Sequence, residues 1–282
     1  MTEEFLAKAL PIIKQIARES GEIIIKHYES HDFTEITKTS AADILTQADL
    51  DSDKHIREEL KKHFPEAGMI TEEGDDIPPK VRGENEIWFC ADPLDGTTNF
   101  SCGVPYFSVS IGILDSNHRS IGGCIYDPNR DEMFWAIRNH GAFLDTKGQS
   151  KQIHVRHRTE LVNCLVATGF CSDHLTNPDN NLKEISLILP KVRCIRRWGG
   201  TCLDMCYVAA SRFDAYWEQG PHIWDVAAAW VIAEEAGAIV SGYDGKPFNN
   251  EFLHQPKLNI LCAPVETHAT FSQLIMEARK DL

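Results

Sequence analysis

The run Ala91-Asp92-Pro93-Leu94-Asp95-Gly96-Thr97-Thr98-Asn99-Phe100 constrains this chain more than any other stretch. The apolar segment Ile87-Trp88-Phe89-Cys90-Ala91 leads straight into it and reads as a buried strand. In layered α/β folds, sites gather where strands end. Two acids at such a point repel each other and lose hydration, which is costly unless a cation joins them. Pro93 fixes a turn that aims both carboxylates to one side, and the Leu94 carbonyl is an acceptable ligand for a hard cation. The Gly96-Thr97-Thr98 amides can take an anion. A divalent-metal site beside an anion cradle points to phosphate chemistry. The competing reading is a plain turn, because Asp-Pro and Asp-Gly are common turn dipeptides whose side chains cap nearby amides.

The remaining organisation fits helices layered on sheets. Apolar residues recur at helical spacing from Phe5 to Tyr28, with a bend expected at Pro11 or Gly21. Residues 35–42 read as a loop or short hairpin. Thr46 or Asp49 can cap a second helix reaching His63. Met69-Ile70-Thr71 reads as a strand ending at Glu72-Glu73-Gly74, and 75–85 as a surface loop. Strands are expected at 108–114, 120–126, 132–137 and 141–144, as an antiparallel meander. Helices are expected at 181–189, 201–210, 224–236 and 267–278, and strands at 161–168, 213–217, 238–241 and 258–263. The polar stretch 146–150 divides the chain into residues 1–146, with most candidate ligands, and 147–282, with Asp225.

Bulk properties exclude several classes. At 282 residues and 43% apolar content, a sizeable core of two packed halves is expected. A net charge of −14 argues against nucleic acid and anionic membranes as partners. No apolar run is long enough to span a bilayer. Nine cysteines without a CxxC pair read as reduced thiols of a cytoplasmic protein that pack as small apolar groups. Asp49-Leu50-Asp51-Ser52-Asp53 imitates a calcium loop, but Lys54 stands where glycine is required. Neither G-x-S-x-G nor a Walker pattern occurs.

Glu72-Glu73-Gly74, then Asp92-Pro93-Leu94-Asp95-Gly96-Thr97-Thr98-Asn99-Phe100, then Trp224-Asp225-Val226-Ala227-Ala228 occur in that order. Together they resemble the inositol monophosphatase family of magnesium-dependent, lithium-sensitive phosphatases, from Lys38 to Gly237 at least. The resemblance implies a layered sandwich of the sugar-phosphatase type, α-β-α-β-α. It implies two or three Mg2+ ions: Glu72, Asp92, the Leu94 carbonyl and Asp95 around the first, Asp92, Asp95 and Asp225 around the second, and Glu72 assisting a third. The Gly96 and Thr97 amides would hold the phosphate. Thr97, bonded to Asp49, would orient the attacking water together with Glu72. Glu218 matches a position that touches a substrate hydroxyl, and Lys38 a mobile-loop lysine. Read alone, Glu72 and Glu73 are a solvated pair, Asp225 is a helix cap and Lys38 an exposed lysine.

The implied substrate is a small phosphorylated metabolite, inositol 1-phosphate first, and the implied assembly a homodimer. Unaided phosphate monoester hydrolysis is slow enough that catalysis must supply on the order of 20 kcal/mol. Arg196-Arg197-Trp198-Gly199-Gly200-Thr201-Cys202 departs from the pattern of inositol-preferring members and looks closer to relatives acting on histidinol phosphate. Gly199 and Thr201 are ligand-contact candidates there, with Arg196 and Arg197 as surface charges and Trp198 as core filler in the alternative reading. Histidinol phosphate, fructose 1,6-bisphosphate, a nucleotide 2′- or 3′-phosphate and a non-catalytic metal-binding scaffold are the alternatives. His222 reads as a pocket or a surface residue.

Overall fold

Neighbouring residues of the motif strand point into two different cores, so this strand must be covered on both faces. The computed structural model describes residues 3–31, 33–40, 43–248 and 257–280. The motif strand is β5 (Trp88–Asp95), and every residue from Phe89 to Asp95 is buried. Phe89 and Ala91 enter one core and Cys90 the other, as the two-residue period of a strand requires. β5 lies in an eight-stranded sheet with β3 (Gly68–Thr71), β4 (Gly74–Ile77), β6 (Ser108–Leu114), β7 (Ser120–Asp127), β8 (Glu132–Ile137), β9 (Ala142–Thr146) and β10 (Gln149–Ile153). Their order is β10-β9-β8-β7-β6-β5-β3-β4, antiparallel throughout except for the β3·β5 pair.

Helices α1 (Glu3–Glu29) and α2 (Gln47–His63) cover one face through Ile13, Ile16, Ile24, Ile56 and Leu60. α1 runs unbroken with Pro11 inside it. The other face carries α5 (Thr201–Ala209) and α6 (Ile223–Glu235). α6 is apolar on every side from Val226 to Ala233 because it is a middle layer. Its Ala227-Ala228 pair lies directly on Gly112 and Gly123, which are cross-strand partners. A Cβ at Gly112 would come within 2.9 Å of the Ala227 backbone, and one at Gly123 within 3.0 Å of Ala228 Cα.

Beyond these helices lies a five-stranded sheet of β11 (Leu165–Thr168), β12 (Cys194–Arg196), β13 (Ala215–Gln219), β14 (Ala238–Ser241) and β15 (Asn259–Pro264), in the order β12-β11-β13-β15-β14. Tyr216, Ile260 and Cys262 face the middle helices, while Trp217, Leu261 and Ala263 face the outer pair, α4 (Leu182–Ile188) and α7 (Val265–Ala278). The result is the expected α-β-α-β-α sandwich. Among the described residues no helix is long and apolar enough to cross a membrane.

The short hairpin expected near residue 35 is present, and two other local features differ for physical reasons. Residues 35–46 form a hairpin of β1 (Glu35–Ser40) and β2 (Asp43–Thr46); Ala41 and Ala42 lie outside the described residues. Gly74–Ile77, expected as the end of a strand and the start of a loop, is the edge strand β4, which pairs through its backbone while Asp75 and Asp76 stay in water. The 146–150 stretch is the turn of the β9–β10 hairpin, so β10 follows the expected division and still completes the first sheet.

Candidate metal centre and anion cradle

The motif acids are aimed by a break in strand register. Asp92 opposes Ser110 and Asp95 opposes Ser108, so three steps along β5 face two along β6. A bulge of this kind re-aims side chains at a strand end. Asp92 Oδ1 accepts from the Leu94 amide at 3.0 Å, so the turn reading of the sequence is also true. Asp95 reaches the start of α5, where Oδ1 accepts from the Thr201 amide at 3.1 Å and Oδ2 from the Cys202 amide at 2.9 Å. These are donors that a helix start leaves unsatisfied. Gly96 turns the chain with φ 95°, and its missing Cβ leaves room for the Tyr106 carbonyl, which a Cβ would approach to 2.9 Å.

α2 braces this turn from below. Asp49 is fully buried and accepts from the Thr46 amide at 2.7 Å and from Thr46 Oγ1 at 2.6 Å. Its other oxygen accepts from Thr97 Oγ1 at 2.9 Å; that hydroxyl also lies 3.1 Å from the Leu94 carbonyl. Burial raises the Asp49 pKa against the Thr46 and Thr97 hydrogen bonds that lower it. Ser52 Oγ donates to the Pro93 carbonyl at 2.8 Å. The β1–β2 hairpin brings Lys38 to Glu72 at 2.8 Å and also to Glu73. Burial would lower the Lys38 pKa, but Glu72 and Glu73 outweigh it and raise it. Burial, then the Glu72 charge, pushes Glu73 up to about 7 against the pull of Lys38.

The substrate side is a cleft of about 200 Å³ lined by Glu72, Asp95, Gly96, Thr97, Gly199, Thr201, Glu218 and Arg197, among others. Glu218 accepts from Thr201 Oγ1 at 2.8 Å and from the Tyr216 hydroxyl. Burial raises its pKa. Arg197 stands over the Phe170 ring, 5.6 Å from its centroid. Arg196 instead points to Cys194 at 2.8 Å. Trp198 does not line the cleft; it meets Tyr106, Tyr207 and Phe213 edge-on. The Asn99 amide nitrogen ties the loop down at the Tyr106, Trp198 and Gly199 carbonyls, 2.8–3.1 Å away.

The electrostatics test whether divalent ions fit. Asp92 is held well above the ordinary carboxylate range by burial, then by the charges of Glu72, Asp225 and Asp95. Asp225, in the first turn of α6, accepts from the His222 amide at 2.6 Å. Burial, then Glu72 and Asp95, raises it in the same way. Asp95 is pushed up to about 7 by burial, with the Cys202 amide opposing and Glu218 adding. Among the described residues none of these three aspartates forms an ion pair with a lysine, arginine or histidine. A hard divalent cation would supply the missing charge, and buried oxygen donors suit such an ion. Ligand atoms of Asp92, Asp95 and Cys202 all lie within 4.8 Å of one another.

The structure thus brings Asp92, Asp95, Asp225 and Glu72 into one electrostatic cluster, with Thr97, Asp49 and Lys38 beside it. Leu94 is buried, with its carbonyl next to Thr97. His222 is half-buried and stacks on Trp224 at 4.7 Å. Sequence reasoning missed Asp204, a buried acid lining the cleft and bonded to the Tyr106 hydroxyl at 2.7 Å. Its three-residue spacing from Thr201 on α5 was the available signal. The reading of every cysteine as core filler also needs correction. Cys202 is buried, but among carboxylates, and Cys102 is exposed.

Residues 6–281 match the model of the inositol monophosphatase family, and the chain belongs to that family. Membership supports a phosphatase of small phosphate substrates, in a family that is typically metal-dependent. Relatives under two names are among those the chain matches. The chain is 35% identical over 255 residues to the Nus factor SuhB of Haemophilus influenzae, covering 90% of this chain and 91% of that protein. It is 34% identical over 238 residues to the inositol-1-monophosphatase of Rhizobium meliloti, covering 84% and 86%. The crystal structure of the extragenic suppressor protein suhB from Bartonella henselae aligns with a TM-score of 0.85 at 31% identity, over 98% of this chain and 100% of that one.

Proposed function

We propose that this chain is a Mg2+-dependent phosphatase that releases phosphate from a small phosphorylated polyol, inositol 1-phosphate being the first candidate. One observation carries the reading: buried Asp92 and Asp95 and half-buried Asp225 repel one another beside the glycine-turned start of α3 (Thr97–Ser101), with no side-chain cation among the described residues to neutralise them. Glu72, Asp92, the Leu94 carbonyl, Asp95 and Asp225 would hold two or three ions. Bound Mg2+ would neutralise the phosphoryl oxygens, acidify a water and stabilise the leaving oxygen. The chain's own residues position the reactants. The Gly96 and Thr97 amides receive phosphate oxygens. Thr97, donating to Asp49, keeps a lone pair turned to accept from the attacking water, and Glu72 is the second acceptor. Glu218 and Thr201, already bonded to each other, receive a substrate hydroxyl. In the same reading the protein is a cytoplasmic homodimer.

The test is phosphate release from a panel containing inositol 1-phosphate, histidinol phosphate, fructose 1,6-bisphosphate and a nucleoside 2′-phosphate, with Mg2+ and with chelator. Turnover that Asp95→Asn abolishes is expected with Mg2+ alone, and metal-independent turnover contradicts the reading. The Nus factor name of several relatives supports a second role, as a Nus factor. Complementation of a deletion strain by the Asp95→Asn protein would separate the two roles.

A further inference from the structure

Cys202 sits in an unusual place for a thiol. It is the second residue of α5 and fully buried. Its sulfur lies within 4.8 Å of carboxylate oxygens of both Asp92 and Asp95, and it donates to the Asp225 carbonyl oxygen at 3.1 Å. The carboxylates of two acids assigned above to Mg2+, and the backbone of a third, therefore lie around one sulfur. A second observation comes from the opposite wall. Ser110, the cross-strand partner of Asp92, has a fully buried hydroxyl without a hydrogen-bond partner among the described residues. It lies beside Cys202. A buried unpartnered hydroxyl and a thiol among carboxylates make a mixed oxygen and sulfur donor set.

We propose that Cys202 makes this centre a binding site for thiophilic divalent ions of the Zn2+ and Cd2+ class, which compete there with Mg2+. Mg2+ takes oxygen donors and gains nothing from sulfur, whereas Zn2+ and Cd2+ gain strongly from a thiolate. Two carboxylates and one sulfur leave an open position for water or substrate, as in three-ligand zinc sites. Binding breaks the S–H bond and forms a sulfur–metal bond, with the proton released to solvent. No electron transfer is involved. The inference rests on the reading of Asp92 and Asp95 as metal ligands, and it adds a regulatory consequence: thiophilic ions displace Mg2+ and switch the enzyme off.

The test uses the full-length reduced protein, titrated with Cd2+ and followed by sulfur-to-metal charge-transfer absorption, with Mg2+ affinity measured separately by calorimetry. The wild type is compared with Cys202→Ala, Cys202→Ser and Asp95→Asn, so the other eight cysteines cancel in each difference. The expected result is a one-equivalent absorption component that Mg2+ competes away and both Cys202 variants lose. Their Cd2+-over-Mg2+ preference should fall at least tenfold. An absorption titration identical in wild type, Cys202→Ala and Cys202→Ser overturns the proposal while Mg2+ binding still depends on Asp95. Mg2+ affinity unaffected by Asp95→Asn overturns the underlying metal reading instead.

Discussion

Asp95→Asn should have opposite effects on activity and on metal-free stability. Burial, together with the charge of Glu218, lifts the Asp95 carboxyl to about 7, against an unfolded value of about 3.9. The folded state therefore holds a proton that the unfolded state has lost, and stability falls as pH rises through this window. The penalty is between about 1 and 2 kcal/mol at pH 5 and about 4 kcal/mol at pH 8. Asparagine removes it. It also loses one of the two acceptors that meet the Thr201 and Cys202 amides, at about 1 kcal/mol. In chelator at pH 8, the variant should therefore be more stable than wild type by about 2–3 kcal/mol, and near parity at pH 5. Saturating Mg2+ should reverse the order, because only wild type gains the ligand's binding energy. Urea unfolding at both pH values, with chelator and with Mg2+, measures all four differences. A metal-free variant less stable than wild type at pH 8 would refute the argument.

Thr97→Val should lower kcat on the order of 100-fold with little change in KM, because it removes the hydroxyl between Asp49 and water. Thr97→Ser should restore most of that loss; equal losses in both variants would assign Thr97 a packing role. Gly112→Ala should cost about 1–3 kcal/mol by forcing α6 off the sheet, since its Cβ would meet the Ala227 backbone. Calorimetry reads this as a drop in Tm, and an unchanged Tm would mean that α6 has room to move.

The parts of the molecule that the sequence makes legible are those where one residue pattern has one physical outcome. The apolar run into Asp92 and Asp95 had to be a covered strand ending in a turn, and 108–137 could only be a meander. The apolar middle of α6, Val226 to Ala233, carried its burial openly, and the Gly112–Gly123 pair beneath it became meaningful only once α6 lay across it. β4 was illegible because its pairing is a backbone property while its acids face water. Lys38, Glu72 and Asp225 each had an ordinary reading as isolated residues. Their role depends on the β1–β2 hairpin, the end of β3 and the start of α6 meeting at one point, which no local pattern encodes and only the family resemblance implied. Arg197 and Arg196 are adjacent and chemically identical, yet one lines the cleft and the other turns to Cys194. Cys202 looked like core filler because a fully buried thiol usually is.

The central claim is that acids distant in sequence hold divalent ions in one cluster. Anomalous diffraction from a crystal soaked in Mn2+, as a visible substitute for Mg2+, tests it most directly. Peaks bounded by Asp92, Asp95 and Asp225, with one also reached by Glu72, are the predicted result. Density without anomalous signal there, or peaks only at surface carboxylates elsewhere, would contradict it.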